Sequence, residues 1–149
     1  MRKFTADKKA TFGYTFAHWC SFQMTALNLH VWKPKYLLHD IEKPWLMLVW
    51  KDYKRVQKFH RKHNNHHIEY AEAHGHNELE KRLNKIDIVA MVIDNECSRF
   101  TKAEAPLTAI QYGKYKLNNI DEENAYLNEL YKSFYQRYLR TAKQLGLEE

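Results

Sequence analysis

Ile88-Val89-Ala90-Met91-Val92-Ile93-Asp94 is the stretch that decides how this chain folds. Six apolar residues in a row cover most of a helix's circumference, and a helix apolar all round belongs at the centre of a domain. The run ends on an acid. An ionised carboxylate at that position is costly unless something pairs with it. A bound cation would pair it, as would a lysine or an arginine. Asp87, two helical turns earlier, is expected on the same face.

Working outward, Asn77 reads as an N-cap with Glu80 three residues later, opening a helix through Leu79, Leu83 and Ile86 into the apolar run. Upstream, Phe12, Phe16, Trp19, Cys20, Gln23, Met24 and Leu27 keep steps of three and four, predicting a helix that ends before Pro34. Pro34 opens a short second helix. Pro44 opens a third, which Trp45, Leu48, Val49, Tyr53, Val56 and Phe59 carry through His60 to about Ala73, with the stop near Gly75. A fifth helix is expected from Pro106 to about Lys116. The last is expected to be capped by Asp121, to carry Tyr126, Tyr131, Phe134, Tyr135 and Tyr138, and to end at Gly146. No strand-like alternation of useful length interrupts this. The expectation is an all-α, single-domain bundle of about six helices over residues 1–149. Residues 1–11 would fray, 12–116 would hold the core, and 121–146 would form the C-terminal helix.

Composition agrees. Four Gly and three Pro among 149 residues, with 44% hydrophobic and 28% charged, suit a compact helical protein rather than a disordered chain. No apolar run is long enough to span a bilayer. No apolar segment follows the basic N-terminus, so no secretory signal is expected. Cys20 and Cys97 are lone thiols, and the expected location is the reducing cytoplasm. The net charge of +6 favours anionic ligands such as nucleotides.

Nine histidines are many for this length. In Tyr36-Leu37-Leu38-His39-Asp40-Ile41-Glu42-Lys43 an imidazole and a carboxylate stand side by side and can converge on one cation. Nitrogen and oxygen ligands without thiolate suit Mn, Fe, Co, Zn or Mg. Within Phe59 to Tyr70, a helix would put His60, His63, Asn64 and His67 on one face with His66 a quarter-turn aside. Neutral imidazoles at this spacing bind divalent cations, and protonated ones bind phosphate. Asn64, Glu69 and Tyr70 are the local candidates to fix their tautomers. His18, beside Trp19, is by itself an ordinary core histidine. It gains weight from the order His18, then His39-Asp40, then Asp94.

That order resembles the HD-domain superfamily of metal-dependent phosphohydrolases. Leu37-Leu38-His39-Asp40-Ile41-Glu42-Lys43 looks like its Leu-Leu-His-Asp-Ile-Gly-Lys signature, with Glu42 where glycine is usual. With His60, Asn64, His66-His67, Glu69-Tyr70, Met91-Val92-Ile93-Asp94 and Pro106-Leu107, the chain is similar to a group of small HD-like proteins of bacteria and phages. The resemblance covers roughly residues 14–115. It implies an all-α fold with metal between helices, and His18, His39, Asp40 and Asp94 as core ligands. His60, His66 and His67 match the positions that join when a second metal is held, and Lys43 matches a lysine against the substrate phosphate.

The function expected is a divalent-metal phosphohydrolase acting on a nucleotide or related phosphoester. Asp40 and Lys43 would be catalytic, and Lys43, His63 and Asn64 would face the phosphate. A metal-stabilised binding module, for a nucleotide or a partner protein, is the second reading. A nucleic-acid-binding helical module is the third, resting on Arg55, Lys58, Arg61, Lys62, Lys132, Arg137, Arg140 and Lys143. The aromatic final helix is either a homodimer contact or core.

Overall fold

The computed structural model describes residues 12–73, 75–101 and 107–149, and the described residues are all helical or irregular, with no strand. The expected fraying of 1–11 and the helix start at Pro106 lie outside them. Among the described residues eight α-helices follow one another: α1 (Phe12–Asn28), α2 (Glu42–Trp50), α3 (Tyr53–His63), α4 (Ile68–Glu72), α5 (Leu79–Leu83), α6 (Ile88–Thr101), α7 (Ala109–Asn118) and α8 (Ala125–Gln144). Short 3-10 turns at Pro34–Leu38 and His76–Glu78 complete the order. No helix among the described residues is long and apolar enough to cross a membrane.

The central helix is where the sequence puts it. On one side of α6, Ala90, Ile93 and Cys97 pack against Phe22, Ala26 and Tyr36. On the other, Met91 and Val92 join Ala109, Ile110, Leu127, Phe134 and Tyr138. Phe134, Tyr135 and Tyr138 are therefore core, which removes most of the aromatic surface that a dimer through α8 would use. Gly113 of α7 lets that helix approach α8: a Cβ there would lie 2.7 Å from the Tyr138 ring.

Eight helices replace the expected six because two long helices are broken. The run from Pro44 towards Ala73 is interrupted first at Lys51, which is left-handed (φ 52°), after which Asp52 caps α3 through Arg55 N. It breaks again at Asn64–His67, before α4. The helix from Asn77 into the apolar run is interrupted at Asn84–Asp87, where the Asp87 carboxylate accepts from Ala90 N at 3.1 Å and starts α6 anew. Asn124, not Asp121, caps α8, accepting from Tyr126 N and Leu127 N. Thr108 and Gln111 form a capping box on α7. Gly146 ends α8 in a left-handed turn (φ 81°) that lets Leu147 N reach Ala142 O. Trp45, Leu48 and Val49, read as an apolar packing face, are exposed, and α2 buries no residue.

Candidate metal centre

Three anchors bring His39 and Asp40 to α6. Gln23 Nε2 donates to Tyr36 O at 2.7 Å, Trp19 Nε1 donates to Leu37 O at 3.0 Å, and the His39 ring stacks on Phe22 at 3.7 Å. The chain then turns sharply at Asp40, which is left-handed (φ 58°) without being glycine. Such a conformation persists only where its surroundings over-determine it, and it is concentrated at functional sites. Here it aims a carboxylate that is 2% exposed into a cluster of imidazoles.

The first group is His18 from α1, His39, Asp40, and Asp94 from α6. His18 Nε2 and His39 Nε2 lie 2.9 and 3.1 Å from Asp94 Oδ1. His18 Nε2 is 3.5 Å from Asp40 Oδ2. The four ligand atoms lie within 4.8 Å of one another, close enough to hold one ion. The other ring nitrogen of His18, Nδ1, faces Cys97 Sγ at 3.9 Å, so Nε2 is the atom turned inward.

His60, His66 and His67 form a second group that meets the same ligand distance. His60 comes from the last turn of α3. The other two come from the loop before α4, held to the start of α6 because Asp87 N donates to Asn65 O at 2.8 Å. Asp40 Oδ1 joins the two groups: it lies 2.9 Å from His60 Nε2 and 3.5 Å from both His66 Nε2 and His39 Nε2. Yet Asp40 Oδ1 and the Nε2 atoms of His60, His66 and His67 are all buried without a hydrogen bond. Three imidazole nitrogens thus crowd one carboxylate oxygen, which with neutral rings protonated on Nδ1 leaves lone pairs facing lone pairs. Left so, each would cost roughly 1–3 kcal/mol. A cation at their common centre satisfies all four, and the donor set fits a divalent ion.

Electrostatics support ligand states on most of the cluster. Burial would raise the Asp94 carboxyl, but hydrogen bonds from His18 and His39 hold it well below the usual carboxylate range. Burial would likewise raise Asp40, but Lys43 holds it well below the usual carboxylate range. Burial lowers His39, and burial with His66 close by pushes His67 well down, so both imidazoles stay neutral. Burial also disfavours a charged His60, but the carboxylates of Asp40 and Glu42 outweigh it and raise it. Metal ligation calls for neutral imidazole and ionised carboxylate.

Seven residues singled out as ligands thus converge, and none of the three assigned to the phosphate lines the cleft described below. His63 is exposed, stacked on Phe59 with its Nδ1 at 2.8 Å from Phe59 O. The helix that would have aligned it with His67 ends at His63. Asn64 supports the cluster from behind: its Nδ2 donates to Glu42 Oε1 at 2.9 Å and to His60 O at 2.9 Å. Lys43 donates to Asp40 Oδ2 at 2.7 Å and is not among the residues lining the cleft described below. Asp87 pairs with Lys35 instead of joining Asp94. Of the other tautomer-fixing candidates, Glu69 faces Arg61 and Tyr70 lies under Arg82.

Sequence reasoning missed Glu42. Its Oε1 accepts from His60 Nδ1, which fixes the proton on Nδ1 and leaves Nε2 as the lone-pair donor. The signal was the acid three residues past His39 where the resembling signature has glycine.

The cluster opens to solvent through a cleft of about 320 Å3. His66, His67 and Asp94 line it, so both groups face it, together with Met91, Leu107, Asn95 and Tyr112. No family model, curated protein or solved structure matches this chain.

Proposed function

We propose that the chain is a divalent-metal phosphohydrolase acting on a small phosphoester, with an ion in each of the two groups and Asp40 shared between them. The observation that carries it is the set of buried atoms without a hydrogen bond on Asp40, His60, His66 and His67, two of which, His66 and His67, line an open cleft together with Asp94. A purely structural cation would have no use for a cleft that reaches it. Divalent ions held here would acidify a water and polarise a phosphoryl oxygen.

The protein's own residues do the rest. Lys43 keeps Asp40 ionised. Glu42 and Asn64 hold the His60 ring in place. Lys43 is thereby a positioning residue for Asp40 and not a contact to phosphate. The cleft admits a compact substrate, since about 320 Å3 stands at the low end of the range for ligand sites. A nucleoside monophosphate or another small phosphoester fits this class.

The test is turnover by Mn- or Co-loaded protein across aryl phosphates, nucleoside monophosphates and cyclic nucleotides, with Asp94→Asn as the control. Metal-dependent release of phosphate by the wild type, lost in the variant, is expected. Full metal occupancy without turnover of any member would discard hydrolysis and leave a metal-stabilised binding domain.

A further inference from the structure

The cleft has a graded lining. Its floor is buried: His66 is 7% exposed and Met91 is 3% exposed. Its rim is not. The Arg61 side chain is 49% exposed and that of Glu69 is 38% exposed, and Lys116 is half-buried beside them. The three come from the last turn of α3, from α4 and from α7, three separate elements that meet at the opening.

Two cations, Arg61 and Lys116, line the cleft beside one rim carboxylate, Glu69, with Glu72 near Lys116 outside it. Arg61 touches Glu69 through one nitrogen at 3.6 Å, a long single contact that leaves the rest of the guanidinium fork free. Lys116 has no ion-pair partner among the described residues, and its Nζ rests 5.8 Å from the Tyr112 ring centre. A lysine and an arginine thus line the same cleft as His66, His67 and Asp94 without belonging to either ligand group. Their partly exposed side chains are free to meet whatever the substrate carries beyond the phosphate held at the buried ligands.

We propose that Lys116 and Arg61 form a second anion subsite, and that the preferred substrate is a small phosphoester bearing another anionic group, a carboxylate or a second phosphate, at its far end. This rests on the hydrolase reading for the reacting end and adds the chemistry of the other. Charge-assisted hydrogen bonds to such a group are worth about tenfold to a hundredfold in affinity, and the preference weakens as salt screens the exposed rim.

The experiment compares 4-carboxyphenyl phosphate and 1,4-phenylene bisphosphate with the neutral 4-carbamoylphenyl phosphate on metal-loaded protein. The same comparison is made by calorimetry with the non-hydrolysable 4-carboxybenzylphosphonate and its carboxamide. Wild type is expected to favour the doubly anionic members by about tenfold or more in kcat/KM and in Kd. Lys116→Gln combined with Arg61→Gln is expected to bring that ratio to near one. The carboxylate and bisphosphate arms tell which second anion the rim takes. Equal turnover and equal binding of charged and neutral members would overturn the subsite and leave the hydrolase reading standing. No turnover of any member, with the binding preference intact and lost in the variant, would overturn hydrolysis and leave the subsite standing. A preference that survives in the double variant would assign it to other residues and overturn the proposal.

Discussion

Replacing Glu42 by glutamine tests the two-group arrangement most sharply, because Glu42 touches one group and not the other. Its Oε1 accepts from His60 Nδ1, and His60 is fully buried with its Nε2 beside Asp40. Glutamine keeps the size and one acceptor but loses the charge that makes the imidazole a better donor. Carboxylates in this position behind a metal-bound histidine typically contribute 10- to 100-fold in metal affinity, or about 1.4–2.7 kcal/mol. Only the ion held by His60, His66 and His67 should weaken. An ion at His18, His39 and Asp94, whose histidines rest on Cys97 and Phe22, should keep its affinity. Elemental analysis after dialysis against a graded chelator series should show wild type releasing its ions at high chelator only. Glu42→Gln should release one at about 10- to 100-fold lower chelator strength. Equal weakening of both ions, or of neither, would refute the reasoning. Glu42→Ala, which leaves Nδ1 without a carboxylate, should exceed the glutamine effect.

Asp40→Asn should empty both groups, because its carboxylate is the one shared between them; elemental analysis should find little bound metal while circular dichroism stays helical, asparagine being tolerated at left-handed φ. Gly113→Ala should destabilise by about 1–3 kcal/mol, since the new Cβ meets the buried Tyr138 ring at 2.7 Å; a chemical-denaturation midpoint equal to or above wild type would contradict this. Asp87→Ala should cost about 1 kcal/mol through loss of the α6 cap, the exposed Lys35 partner adding little. Burial would raise the Asp87 carboxyl, but Lys35 and Ala90 N hold it below its ordinary value. Its contribution is thus full above the unfolded pKa of about 3.9 and fades as pH falls further, so the gap between variant and wild type in denaturation should close below about pH 4.

The central helix and the ligand set were legible for one reason: both depend on residue types whose alternatives are expensive. Six apolar residues in succession have few places to go but a core, and Asp94 at their end has to be paired. The breaks were not legible, because they are local competitions decided by tertiary contact. Lys51 is an ordinary helix former forced left-handed between α2 and α3. Asp87 reads as a helical residue facing Asp94 until its carboxylate caps α6 and its backbone N–H reaches Asn65. The error over His63 follows from the same cause, since helical spacing across 60–67 assumed a helix that stops at His63.

The break at Asn64–His67 is what makes the second group possible. On one continuous helix, His66 would point a quarter-turn away from His60 and His67, and three ring nitrogens would not share a centre. With the helix ended, His66 and His67 lie 5.2 and 4.8 Å from the His60 ring and 4.2 Å from each other, centre to centre. The loop that allows this is held by Asp87 N on Asn65 O, so the same aspartate that starts α6, the helix bearing Asp94, also sets the histidine pair. Both groups are therefore referenced to the N-terminal end of one buried helix. A cation in either would cross-link α1, the His39-Asp40 turn, α3 and the histidine loop to it, whereas α4 and α5, each of five residues, are held by burying Ile68, Ala71, Leu79 and Leu83 in the core.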